Sequence, residues 1–426
     1  MLYVGNCIDA ISQLPDASID SIVTDPPYEL GFMGKTWDST GIAYNLELWR
    51  QCFRVLKPGS HLLAFSGSRT YHRMAVAIED AGFDIRDQIM WVYGSGFPKS
   101  HNISKAIDKF MSAERTVVGI GTSGKSRNIL NAANYPDTFG GDYEITESSS
   151  EQAKEWDGWG TALKPAHEPI VMARKPLDGT VAHNILTHGT GGLNIDGCRV
   201  PHLSEADRAS ATPQGKVTSN KMAGAAPDVD NGDRVDVDRP DTSLGRFPAN
   251  FIHDGSDEVL ELFPRSKGGA YPAKRGQAVN TSFASGQETK GGFRAMGDDG
   301  SAARFFYCAK ASTAERNAGL DDLPDRRQDP DDYERAGTTN PRNRSQKARK
   351  NHHPTVKPIS LMRYLIRLVT PQHGTVLDPF LGSGTTAVAA TLEGTKWVGC
   401  EMNVEYAEII TARVKHANEL VNPEKQ

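Results

Sequence analysis

The chain has 426 residues, and its 48 Lys+Arg against 53 Asp+Glu leave a formal net charge of −5, so the overall balance supplies no bulk cationic attraction to nucleic acid or to a membrane surface. Glycine (41) and proline (24) are plentiful while hydrophobic residues reach only 38%, which points to ordered α/β modules separated by long irregular stretches. The five cysteines (Cys7, Cys52, Cys198, Cys308, Cys400) never form a C-x-x-C pair and nowhere do about 18 apolar residues run together, arguing against a disulfide framework, a thiolate zinc site or a membrane span. No basic segment leads into an apolar run near the start. The expectation is a reduced, cytoplasmic protein.

The first hundred residues alternate strand and helix patterns. Ile19–Thr24 is a short apolar segment ending at the breaker pair Pro26-Pro27, which reads as a buried strand opening into a loop. Residues 46–56 place Leu48, Trp49, Phe53, Val55 and Leu56 near one helical face, and Lys57-Pro58-Gly59 stops the helix. Residues 62–65 read as a second strand, 74–81 as a second helix and 89–92 as a third strand. From about 123 to 338 the regularity fades, and 128–150, 203–240 and 265–300 are rich in Gly, Ser, Asn, Asp and Ala. They read as loops, small inserts or segments that order on a partner, with islands of structure at 168–174, 181–184 and 304–310. Beyond His353 the alternation returns: helix Ile359–Val369, strand 375–377, helix Thr385–Leu392, strand 397–400 and an amphipathic helix over 403–420. The fold class expected is α/β, a doubly wound, mostly parallel sheet assembled from both ends of the chain around a long central insertion.

Two segments carry chemistry. In Asp378-Pro379-Phe380-Leu381-Gly382-Ser383-Gly384 a predicted strand runs through a glycine turn into a helix. Gly382 and Gly384 let the backbone approach a ligand closely, and the helix start presents free N–H groups, a place for a nucleoside cofactor. The next strand ends at Glu401, 23 positions after Asp378, where a carboxylate can accept from both ribose hydroxyls. A tight turn beside a solvated glutamate is the plainer reading. Asp25-Pro26-Pro27-Tyr28 follows directly on a predicted strand. The prolines fix an extended backbone, so a carboxylate and a proline carbonyl can together accept both hydrogens of an exocyclic amine while Tyr28 offers a π-face to its base. Alternatively it is a strand-terminating turn with a buried aromatic.

Together these segments, with Gly5-Asn6-Cys7 and His353-Pro354-Thr355-Val356-Lys357-Pro358, resemble the motifs of amino-group DNA methyltransferases in their permuted β group, catalytic motif first and cofactor motif last. The resemblance covers roughly residues 1–110 and 300–420. It implies a class I methyltransferase-like fold, S-adenosylmethionine as cofactor, and transfer of its methyl to a base amine of flipped-out double-stranded DNA. It places Asp378, Phe380, Gly382, Ser383 and Gly384 along the methionine side of the cofactor, Glu401 at the ribose, Lys357 at the methionine end and Asn6, where many relatives have Asp, near the adenine. Asp25, Pro26, Pro27 and Tyr28 would hold the target base, and Asp at the first position favours adenine N6 over cytosine N4. No Pro-Cys pair, which ring-carbon methylation needs, occurs. The implied division is 1–115 as the catalytic half, 116–300 as the target-recognition region and 301–426 as the cofactor half. A homodimer and a cognate restriction nuclease are partners the resemblance admits.

Rival signals exist. Gly119 to Ser126 matches the phosphate-loop pattern, but the Asn-rich continuation is a poor helix and the segment reads as a flexible loop. Arg342, Arg344, Lys347, Arg349 and Lys350 form an acid-free cationic run, a solvated segment or a phosphate contact, and Lys267, Lys274, Arg275, Lys290 and Arg294 form a similar one. A non-catalytic DNA-binding protein would leave the glycine motif and Glu401 without a role. Trp156, Trp159, Lys164 and His167-Glu168-Pro169 read as packing rather than active-site support. His352-His353 lacks a spaced third ligand, so no metal is expected.

Overall fold

The computed structural model describes residues 1–30, 36–96, 100–122, 142–205, 207–208, 243–266, 300–309, 313–326 and 350–422. Along the chain its strands are β1 (Leu2–Val4), β2 (Ile19–Thr24), β3 (Leu56–Phe65), β4 (Asp84–Val92), β5 (Val117–Thr122), β6 (Asp142–Thr146), β7 (His167–Arg174), β8 (Phe251–His253), β9 (Arg265–Ser266), β10 (Gly300–Ser301), β11 (Tyr307–Cys308), β12 (Thr375–Asp378) and β13 (Lys396–Glu401). Nine of them form one sheet in the order β1-β13-β12-β2-β3-β7-β4-β8-β11. The pairs from β1 to β3 are parallel, as is β4 with β8. Strand β7 runs antiparallel between β3 and β4.

All six residues of β2 are buried, as expected where helices cover both faces of a parallel sheet. Its polar members are satisfied across the split in the chain. Ser21 Oγ bonds Thr370 Oγ1 at 2.8 Å, and Asp20 takes the Lys57 ammonium at 2.6 Å and the Thr375 amide at 2.7 Å. Val376 lies opposite Ser21 and Leu377 opposite Ile22, so the two ends of the chain meet in the middle of the sheet. Ile11, Ile22, Leu48, Trp49, Leu56, Leu62, Val171 and Leu377 form the core beneath it. This is the mostly parallel α/β fold expected, built from both chain ends.

Two details differ from the sequence reading. Lys57-Pro58-Gly59 does end the helix Leu46–Val55 but opens no loop, because Leu56 is already extended and Gly59 donates its amide to the carbonyls of Lys175 and Pro176. Strand β3 therefore starts six residues early. Gly119 to Thr122 belong to β5, paired antiparallel with β6, whereas a phosphate loop must leave its strand before the first glycine. Ser123, Gly124, Lys125 and Ser126 lie outside the described residues.

The chain divides into two compact units, Met1–Gly197 with Asn250–Val259 and Cys308–Gln426, and Cys198–Ala249 with Leu260–Tyr307. In the second, buried Asp207 accepts two hydrogen bonds from Arg246 (2.8 and 2.6 Å) and one from Arg304 (2.9 Å). Among the described residues no helix is long and apolar enough to cross a membrane.

Candidate active site

Parallel strands β1, β13, β12 and β2 end along one edge of the sheet, where α/β folds hold their ligands. Thr24 and Asp378, the last residues of β2 and β12, are joined by a 2.6 Å hydrogen bond from Thr24 Oγ1 to Asp378 Oδ1. The predicted catalytic segment and the predicted cofactor turn therefore begin side by side.

On the β2 side, Pro26 is buried and Asp25 half-buried. Lys357 Nζ donates to Asp25 Oδ2 at 2.6 Å and to the Tyr28 hydroxyl at 3.1 Å, and it lies 3.3 Å from Glu168 Oε2. Tyr28 donates its hydroxyl hydrogen to Glu168 Oε2 at 2.8 Å, and its carbonyl accepts from Thr70 Oγ1 at 2.8 Å. The ammonium also faces the rings of Phe65 (4.9 Å) and Tyr28 (5.3 Å). Burial alone would depress the Lys357 pKa, but the carboxylates of Asp25 and Glu168 outweigh it and hold the group above its ordinary value. Burial, followed by the same two carboxylates, pushes the Tyr28 phenol well above its usual value. The remaining oxygen, Asp25 Oδ1, is buried and has no hydrogen-bond partner. A buried acceptor left in that state costs about 1–3 kcal/mol, which a donor entering the site would offset.

On the β12 side, both oxygens of Asp378 are engaged: Oδ1 also accepts the Phe380 amide (3.0 Å) and Oδ2 the Thr386 hydroxyl (2.5 Å). Burial pushes its pKa up to about 6 despite these bonds. Gly382 (φ 55°) and Gly384 (φ 82°) shape the turn, and a Cβ on Gly382 would lie 2.9 Å from His353 Nε2. Glu401 spans the turn, Oε2 accepting the Gly382 amide and Oε1 the Asn403 amide, each at 2.8 Å. Burial raises its carboxyl to about 7. Asn6 lies just past β1, whose Val4 pairs with Glu401, and its side chain caps the helix Cys7–Ser12 through the Ile8 amide at 2.8 Å. Phe380 is half-buried against the core. Buried Ser383 accepts from Arg413 Nη1 at both its carbonyl (2.7 Å) and its hydroxyl (3.1 Å).

The structure thus brings Asn6, Asp25, Pro26, Pro27, Tyr28, Asp378, Phe380, Gly382, Ser383, Gly384 and Glu401 to one sheet edge. Lys357, which the resemblance places at the methionine end of a cofactor, has its ammonium against Asp25. Of the cationic run only Lys350 is described, its ammonium donating to the Asp321 carbonyl at 2.5 Å; Arg342, Arg344, Lys347 and Arg349 lie outside the described residues. Sequence reasoning missed Arg413 and read Glu168 as packing rather than as active-site support. For Glu168 the available signal was an acid placed immediately before the apolar run of β7.

A family profile described as DNA methylase, of the N6/N4 type, matches residues 19–412. The type II methyltransferase M.HpaI of Haemophilus parainfluenzae is 34% identical over 116 residues, 26% of this chain and 37% of that protein. M.HindIII of Haemophilus influenzae is 28% identical over 153 residues, 35% of this chain and 38% of that one. The chain spans less than two fifths of the length of either relative. Among solved structures, PvuII DNA methyltransferase (cytosine-N4-specific) aligns over 99% of this chain and 93% of its own at 13% identity and a TM-score of 0.40. The M1.HpyAVI–SAM complex aligns over 97% and 98% at 13% identity and a TM-score of 0.36.

Proposed function

The chain belongs to the N6/N4 DNA methylase family, and from that premise we propose that it methylates the exocyclic N6 amine of adenine at a specific site in double-stranded DNA, with S-adenosylmethionine as methyl donor. The observation that carries this reading is Asp25 Oδ1, a buried acceptor without a partner, at a strand end and on a carboxylate that shares the Lys357 ammonium with the Tyr28 hydroxyl.

The cofactor edge fits such a donor. Gly382 and Gly384 give the turn its left-handed backbone, and Glu401, although each oxygen already accepts one amide, keeps lone pairs for ribose hydroxyls. Asn6, Phe380 and Ser383 complete that edge, while Asp378 holds the turn in shape. S-adenosylmethionine supplies an electrophilic methyl on a sulfonium. What the protein supplies is placement and charge. A base amine is a poor nucleophile because its lone pair is delocalised into the ring. Asp25 Oδ1 and the Pro26 carbonyl accept its two hydrogens and draw density back onto nitrogen. Bound S-adenosylmethionine would supply the methyl, its S–C bond breaking as the N–C bond forms, and Asp25 would take the proton from the now acidic nitrogen. Flipping the base out of the duplex costs a few kcal/mol, which stacking on Tyr28 offsets in part. The aspartate at position 25 carries the preference for adenine. We assign residues 1–115 and 301–426 to the catalytic domain and target recognition to 116–300, which also lends β7 and β8 to the sheet.

Incubation with DNA and methyl-labelled cofactor, followed by digestion to nucleosides, tests the assignment. Label in N6-methyladenine is expected; label in N4-methylcytosine would replace the base, and no label in DNA would overturn the reading. Asp25→Ala should cut turnover by roughly 10²–10⁴-fold with cofactor binding retained.

A further inference from the structure

We propose that Glu168 is a positioning residue of this site: it shares the Lys357 ammonium with Asp25 and anchors Tyr28, so that Asp25 keeps a net negative charge and one free oxygen for the target amine. The inference rests on the methyl-transfer reading above and adds a residue to it.

Glu168 is the second residue of β7. Because β7 runs antiparallel to β3, with Phe65 opposite Ile170, its start lies at the edge where β3 ends. The carboxylate is thereby carried to the site, where its side chain is 18% exposed and that of Lys357 9%. One ammonium then stands between two carboxylates, 2.6 Å from Asp25 and 3.3 Å from Glu168.

That arrangement has a chemical consequence. Methylation places positive charge on the attacking nitrogen. A lone Asp25–Lys357 pair would be neutral and could stabilise that charge little. With Glu168 the three groups carry a net negative charge next to the developing cation. The bond from the Tyr28 hydroxyl to Glu168 adds a second effect by anchoring the far end of the ring on which the base would stack.

The groups facing Lys357 are Asp25 and Tyr28 after β2, Phe65 at the end of β3, Glu168 on β7 and His353 from its own segment. Burial pushes the His353 pKa down to about 4, so it is neutral at physiological pH. Glu168 faces Tyr28, Lys357 and Tyr93. Removing one of the two anions leaves burial to lower the Lys357 pKa against Asp25 alone, and the ammonium should be lost at a lower pH.

The test compares wild type with Glu168→Gln, which preserves an acceptor for Tyr28, Glu168→Asp, which preserves charge, and Tyr28→Phe, which removes only the hydroxyl. For wild type, kcat/KM for methyl transfer to DNA should stay level up to about pH 9.5. Glu168→Gln should lose about 10²-fold in kcat with little change in the KM for cofactor, and show an alkaline rise whose midpoint lies below about pH 9.5, because loss of the ammonium returns the net negative charge. Glu168→Asp and Tyr28→Phe should keep the level alkaline profile whatever their rates. A folded Glu168→Gln with wild-type kcat, or with a level or falling alkaline profile, would overturn the role of Glu168. So would an alkaline rise in Tyr28→Phe equal to that of Glu168→Gln. If Glu168→Gln does not fold, an alkaline rise in Glu168→Asp overturns the proposal and a level profile upholds it. Failure of wild type to methylate DNA would instead remove the functional reading beneath it, so the two failures are told apart.

Discussion

Asp378 and Glu401 are carboxyls held above their ordinary pKa values, to about 6 and about 7, chiefly by burial. A group raised in this way favours the folded state while it carries its proton. That contribution is complete below the unfolded-state value near pH 4 and is lost as pH rises through 6 and then 7. The urea midpoint should therefore respond to these two groups between about pH 4 and 7, Asp378→Asn flattening the dependence up to about pH 6 and Glu401→Gln the part that persists to about pH 7. Variants that track wild type in parallel across this range would show the carboxyls to be titrating elsewhere. The same residues mark how far a sequence discloses a site. Asp25, Tyr28, Gly382, Gly384 and Glu401 stand in short contiguous patterns next to predicted strand ends, so their chemistry is legible locally. Glu168 meets Tyr28 across 140 positions and Lys357 meets Asp25 across 332, and no local pattern encodes such a pairing.

Elements with a strong apolar period were read most accurately. Ile19–Thr24, Ile359–Val369 and Thr385–Leu392 fall where the sequence puts them. Strand β1 and the helix Cys7–Ser12, with three and six residues, are too short to show a period. Their formation depends on β13 and on the Asn6 cap. The helix Val404–Val421 was read as amphipathic, but its most consequential residue is polar. Arg413 is 2% exposed, burial lowers its pKa to about 10, and Nη1 ties the last helix to Ser383 and to the Thr385 hydroxyl at 3.2 Å. Replacing it with Leu leaves those buried acceptors unpaired. We expect Arg413→Leu to lose about 2–4 kcal/mol in chemical denaturation and to weaken cofactor binding more than DNA binding. A loss of stability below about 0.5 kcal/mol would mean that the turn holds itself.

At the scale of the molecule, the sheet joins segments remote in sequence. Strand β2 lies between β12 and β3, and the last strand, β13, lies between β12 and β1. A chain cut before residue 375 would leave one edge of the wholly buried β2 without its parallel partner. Such a fragment should be insoluble or bind ANS strongly, and recovery of a soluble, protease-resistant fragment of residues 1–370 would contradict that. Alternation in the first and last hundred residues made the shared sheet legible. The antiparallel placement of β7 was not, since an isolated apolar island reveals neither its direction nor its neighbours. The split sheet also sets a clock for synthesis: at about 5–20 residues per second a ribosome takes roughly 20–70 s to travel from β2 to β12. Throughout that interval the nascent chain carries Asp25 and Tyr28 but no glycine turn beside them, so it must be kept from aggregating, and it can acquire its chemistry only once the cofactor strand has emerged.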